Sequence, residues 1–216
     1  VVTYNSEEEQ IEAIKKWWKE NGKSAIAGLA IGIGAIVGWN TWQSYKETQA
    51  QQASDVYQQL LEAADKKQSD SVVKLIEKIK TSYGSTPYVN FADLFLAEEK
   101  VNSGDLAGAK KILSGMVESQ SNQMTKHIAM LRLIRLMVAE GESEAALKLM
   151  DKVKLAKTGA FEGQYQELKG DIFVALKRES EARIAYKRAQ SLGDKSKFLQ
   201  LKMDDLAVTD DKELAK

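Results

Sequence analysis

Cysteine is absent from all 216 residues, which excludes disulfides, thiolate metal sites and cysteine nucleophiles. Histidine occurs once, at His127, so no HExxH zinc pair exists. The sequence also holds no GxxxxGK[ST] phosphate loop and no dinucleotide fingerprint. An excess of charge is lacking too: 31 Lys and Arg balance 31 Asp and Glu. Nucleic-acid surfaces need a basic stripe, so a nucleic-acid partner is not expected. Proline is nearly absent, with Pro87 alone. With abundant Ala, Leu, Lys, Glu and Gln, that scarcity points to an all-α chain. Nothing here assembles catalytic chemistry. His127 opens a helix rich in Met and Leu and reads as a core or repeat-surface residue. Met124, Met130, Met137 and Met150 read as core. Asp204-Asp205 and Asp210-Asp211 read as solvated carboxylates. No enzyme, cofactor, metal or small-molecule substrate is expected.

What is present is one long uncharged run, the 22 residues from Ser24 to Tyr45. As a helix rising ~1.5 Å per residue it reaches about 33 Å, enough to cross a hydrocarbon core about 30 Å thick. Ile26, Leu29, Ile31, Ile33, Ile36 and Val37 together favour insertion by about 2–3 kcal/mol. Trp39, Trp42 and Tyr45 follow where an interfacial aromatic belt belongs. Gly28 with Gly32, and Gly34 with Gly38, form two GxxxG pairs, a spacing that lets a neighbouring membrane helix approach closely.

The preceding segment carries five Glu, and no small-x-small cleavage site follows the run. It therefore reads as an uncleaved signal anchor rather than a signal peptide. Ser6-Glu7-Glu8-Glu9 has the form of a capping box. Ile11, Ile14 and Trp18 then share a helical face, and Asn21-Gly22 is the expected stop. A short amphipathic helix would lie on the membrane surface with Trp17 and Trp18 at headgroup level. Lys15, Lys16, Lys19 and Lys23 precede the span, whereas only Lys46 follows closely. The positive-inside rule then places the N-terminus in the cytoplasm. The larger C-terminal part lies across the membrane, in the periplasm of a diderm bacterium.

No Gly or Pro interrupts residues 42–64, so the membrane helix is expected to run on into the following domain. A helix with Val72, Leu75, Ile76 and Ile79 ends at the Gly84-Ser-Thr-Pro87 turn. Internal repetition follows. Ala109, Ala146 and Ala182 stand 37 and 36 residues apart, each on the second helix of a helix–turn–helix unit. A small side chain permits the close crossing there, and Gly at the turn ends the first helix in a left-handed conformation.

These units resemble tetratricopeptide repeats. Gly170, Phe173, Ala182, Tyr186 and Ala189 occupy signature positions in the third unit. The first two units are degenerate, and residues 53–83 suggest a more divergent one. Such units stack into a right-handed solenoid, which residues 196–206 would cap. The expected organisation is an amphipathic segment 1–23, a membrane helix with its interface 24–45, a repeat domain 46–208 and a frayed tail 209–216. In solenoids of this type the first helix of each pair lines the concave face. The register places Leu94, Glu98, Val101, Leu131, Arg135, Val138, Glu167, Asp171 and Val174 there, as a groove for an amphipathic peptide or partner loop.

The combination of an acidic N-terminus, a Trp-Trp/Lys segment ending Glu20-Asn21-Gly22-Lys23, a Gly/Ala/Ile span ending Gly38-Trp39 and degenerate repeats resembles the YfgM family. These are ancillary subunits of the Sec translocon in proteobacterial inner membranes. The resemblance implies a single-span protein with a periplasmic repeat domain. It implies association with SecYEG and with PpiD, a membrane-anchored chaperone of the prolyl-isomerase type. It also implies an adaptor role in passing exported proteins to periplasmic chaperones, and a link to an envelope-stress regulator. It supplies no catalytic residues. A holdase that binds clients directly, or a scaffold of another envelope assembly, would carry the same repeats.

Overall fold

The computed structural model describes residues 7–119, 122–194 and 196–214. The described residues form helices and no strand. The chain divides into two compact units, Val1–Asp55 and Val56–Lys216. Helix α1, Glu7–Asp65, contributes residues to both.

In the first unit α1 continues through Asn21-Gly22, which corrects the expected stop and the separate surface helix. Asn21 turns its side-chain amide inward, donating from Nδ2 to the Trp17 carbonyl at 3.2 Å. Gly22 is covered by the Trp18 indole, 3.3 Å from where a Cβ would stand. A single helical Gly costs about 1 kcal/mol, too little to stop a helix already propagating on both sides. Ser6, the first residue of the expected capping box, lies outside the described residues.

The second unit is a stack of helix pairs. The C-terminal part of α1 pairs with α2, Ser69–Ser82. Then α3, Tyr88–Asn102, pairs with α4, Leu106–Glu118. Next come α5, Gln123–Ala139, with α6, Ser143–Asp151, and α7, Glu162–Ala175, with α8, Glu179–Ser191. Two short 3-10 turns, Leu155–Lys157 and Gly159–Phe161, lead into α7. Helix α9, Leu199–Leu214, closes the series. It extends past Thr209, where a frayed tail was expected, because residues 207–214 include neither Gly nor Pro to end it.

Four apolar clusters show why the units stack. Each joins one helix pair to the first helix of the next. Val56, Leu60, Val72, Ile76 and Ile79 meet Ala92 of α3. Leu94, Ala97, Ala109, Leu113 and Met116 meet Ala129, Leu133 and Leu136 of α5. Leu131, Ile134, Ala146 and Met150 meet Tyr165, Leu168 and Ile172 of α7. Phe173, Ala182, Ala185, Tyr186 and Ala189 meet Leu199 and Leu206 of α9. No pair closes its core alone, which is the property of a solenoid. The repeat alanines Ala109, Ala146 and Ala182 are fully buried. Met124, read as core in the sequence, is instead exposed, in the first turn of α5.

The divergent first pair is in phase with the others. Lys67, Gly104, Gly141 and Lys177 all have positive φ, at 55°, 81°, 82° and 59°, and stand 37, 37 and 36 residues apart. Each follows the first helix of its pair, and the next residue donates its N–H back over the turn. These bonds are Gln68 to Ala63 at 2.9 Å, Asp105 to Lys100 at 2.8 Å, Glu142 to Met137 at 2.8 Å and Arg178 to Phe173 at 2.8 Å. This is the Schellman arrangement. Two turns meet it with glycine and two with lysine, so glycine alone marks only half of them. In the third full repeat Gly170 lets α7 and α8 cross closely. A Cβ there would lie 2.2 Å from Cε1 of Tyr186.

Candidate interaction surface

In the first unit the apolar run is open. Ile26, Leu29, Ile31, Ile33, Ile36 and Val37 are between 54 % and 73 % exposed, and none of the apolar window is buried inside the protein. Full burial of one such side chain contributes about 1.5–3 kcal/mol, so a bare aqueous surface of this kind is strongly unfavourable. The helix is long and apolar enough to cross a membrane. At its C-terminal border Trp39 and Trp42 stand 5.3 Å apart, and Lys46 Nζ lies 4.4 Å over the Trp42 ring. A polar-tipped aromatic pair and a snorkelling lysine suit a headgroup layer. A Cβ at Gly28, Gly32, Gly34 or Gly38 would meet nothing within 4 Å.

In the second unit the nine residues expected to line a groove do not behave alike. Leu94 and Leu131 are buried in the clusters that join successive repeats, so they hold the stack together. Val138 packs against the second of these clusters. Val174 is exposed near the end of α7. Glu98, Val101 and Arg135 do come together, on one cleft of about 480 Å³. Ala97, Leu113 and Leu136 form its apolar floor, and Arg132 stands on its wall. Arg132 was not anticipated. Its Nη1 donates to the Leu94 carbonyl at 3.1 Å and lies 3.6 Å from Glu98 Oε2. Its position one residue past Leu131 on α5 was the available signal.

Glu167 and Asp171 turn toward α9. Lys202 Nζ reaches Glu167 Oε1 at 2.8 Å and Asp171 Oδ1 at 2.7 Å. Tyr186 donates its hydroxyl to Asp171 at 2.8 Å, and Ser196 donates to Glu167 at 2.9 Å. Glu167 is only 7 % exposed. Burial works to lower the Lys202 pKa, but the hydrogen bonds to Asp171 and Glu167 outweigh it and hold it above the ordinary lysine range. Burial, with the neighbouring Asp171 carboxylate, pushes the Tyr186 phenol up. These residues form an internal clasp, so reversing Asp171 would disrupt the clasp rather than test a groove.

A second cleft, of about 560 Å³, lies between α5, the start of α7 and the turn before α9, with Arg135 at its edge. His127 is removed from both clefts. Its Nδ1 is 3.0 Å from the Tyr165 hydroxyl, and its ring lies against Phe161. Desolvation, with the nearby Lys126, lowers the His127 pKa. Burial pushes Tyr165 up to about 12. Among the described residues no three His, Cys, Asp or Glu side chains group as a metal would require.

A tetratricopeptide repeat-like domain family matches residues 15–208. An ancillary SecYEG translocon subunit of Haemophilus influenzae is 31 % identical over 205 residues, covering 94 % of this chain and 98 % of the relative. The chain belongs to the ancillary SecYEG translocon subunit family. Another ancillary SecYEG translocon subunit, from Escherichia coli K12, is 29 % identical, with 95 % and 98 % of the two chains covered. One from Neisseria gonorrhoeae is 25 % identical, with 93 % and 97 % covered. No solved structure matches the chain. The family likeness spans the apolar run as well as the repeats, so both parts of the molecule belong to it.

Proposed function

We propose that this chain is a non-enzymatic, single-span inner-membrane adaptor of the SecYEG translocon. The observation that carries the reading is the joint coverage of anchor and repeats by relatives named as translocon subunits. Repeats alone would serve many assemblies; the shared apolar helix ties this one to a membrane machine. The lysines before the span keep the N-terminus in the cytoplasm, and the repeat domain works in the periplasm. There it holds a membrane-anchored periplasmic chaperone of the PpiD type near emerging chains. The cleft with Glu98, Val101 and Arg135 offers the docking surface.

The membrane helix makes its own contacts through glycine. The Gly28/Gly32 and Gly34/Gly38 pairs are six residues apart, which at 3.6 residues per turn turns them about 120° from each other. Each pair serves a different neighbouring helix. The test is isolation of the full-length protein from membranes in mild detergent, with co-isolated proteins identified by mass spectrometry. Recovery of translocon subunits supports the adaptor. An intact, membrane-inserted protein that recovers none rejects it. Recovery of the translocon without a chaperone rejects the chaperone link alone.

A further inference from the structure

We infer that the cleft between α3 and α5 selects a partner segment in which an apolar side chain stands beside a carboxylate. This deepens the adaptor reading by assigning the chemistry of its docking partner. The floor is apolar and preformed: Ala97, Leu113 and Leu136 are buried and held by the cluster that joins α3, α4 and α5. At about 480 Å³ it lies within the range of roughly 300–1,000 Å³ typical of sites that take a bound group. Val101 at the rim is exposed.

Charge decides which segment fits. Three ionisable side chains line the cleft: Glu98, Arg132 and Arg135. Glu98 and Arg132 answer each other at 3.6 Å, and the Leu94 carbonyl fixes the Arg132 guanidinium at 3.1 Å. That leaves Arg135, exposed and with no hydrogen bond or ion pair among the described residues. Among the side chains that line this cleft, Arg135 is therefore the positive charge without a bonded partner, and it stands beside an apolar seat. A guanidinium presents a planar fork of donors that matches a carboxylate in two-point contact. A neutral apolar segment would fill the floor and leave Arg135 unanswered. A basic one would meet it with like-charge repulsion.

The test is selection of displayed linear peptides on the full-length protein in nanodiscs, wild type against Arg135→Glu. Among the described residues Arg135 has no internal partner to lose, and a thermal melt confirms that the variant folds. The expected wild-type consensus pairs Leu, Ile, Val or Met with a neighbouring Asp or Glu. Arg135→Glu should lose those peptides, weakening the best one by about tenfold or more, and enrich peptides with Lys or Arg at the same position. Arg135→Lys should retain the acidic preference with reduced affinity. A consensus with no acidic position, one that Arg135→Glu leaves unchanged, or no enrichment at all overturns the inference. Translocon association is judged by co-isolation of SecYEG, so its failure is separately visible.

Discussion

Replacing Gly170 by Ala should destabilise the repeat domain, although alanine is the better helix former. Gly170 lies inside α7, where a Gly-to-Ala change by itself contributes about 1 kcal/mol of stability. The tertiary environment opposes this. The new Cβ would sit 2.2, 2.4 and 2.9 Å from Cε1, Cδ1 and Cζ of Tyr186. Carbon atoms rest at about 3.5–4.0 Å, so α8 must move away by more than an ångström or the ring must turn. The ring has little freedom: Tyr186 is 2 % exposed, and its hydroxyl is tied to Asp171 at 2.8 Å. Overpacking of this kind costs about 1–3 kcal/mol, and a strained Tyr186–Asp171 bond adds about 1 kcal/mol. The net loss is about 2 kcal/mol, a fall in Tm of about 4–8 °C for a domain of this size. The assay is thermal unfolding of the full-length protein in detergent, followed by near-UV circular dichroism. Gly115→Ala is the internal control. Gly115 is also helical, but a Cβ there meets nothing within 4 Å, so this variant should gain up to about 1 kcal/mol. An unchanged or raised Tm in Gly170→Ala would refute the close-crossing argument.

At the turn after α7, Lys177→Gly should stabilise by about 1 kcal/mol, because Lys177 holds φ at 59° where an L side chain is strained; Gly104→Ala should destabilise by a similar amount, both read from chemical denaturation. The clasp gives another test: Lys202→Met leaves Glu167 and Asp171 facing each other without their cation. A loss of about 1–2 kcal/mol is expected, with the partial exposure of Lys202 discounted, and Glu167→Gln in the same chain should recover part of it. For pH, His127 has a folded pKa below its ordinary 6.5. The folded state therefore resists protonation, and stability should be full above pH 6.5 and fall as pH drops from there toward the folded pKa. His127→Gln should remove this component, seen as a flatter dependence of Tm on pH between about 7.5 and 5.5. In the membrane, Gly32→Ile or Gly38→Ile should lower recovery of co-isolated membrane partners, with the repeat domain still folded.

The sequence by itself determined the helical class, the position of the apolar run and the approximate repeat length. Those rest on local physics: helix propensity, hydrophobic length against bilayer thickness, and a recurring small residue at 109, 146 and 182. It also showed that glycine closes the first helix at 104 and 141. It did not show Lys67 and Lys177 in the same role, because backbone strain at a non-glycine residue leaves no mark in composition. Nor did it reveal that α1 passes Asn21-Gly22, since two poor helix formers signal a stop whenever the flanking helices are ignored. The interaction surface was legible only in part. Register assigned Glu98, Val101 and Arg135 to one face, but it also assigned Leu94, Leu131, Glu167 and Asp171. Only the packing of successive repeats sends those leucines into the core, and only α9, with Lys202, draws the two carboxylates away from an open groove. A helical face is a local property. Which part of it remains available to a partner depends on neighbours distant in the chain, and that was decided by the tertiary structure.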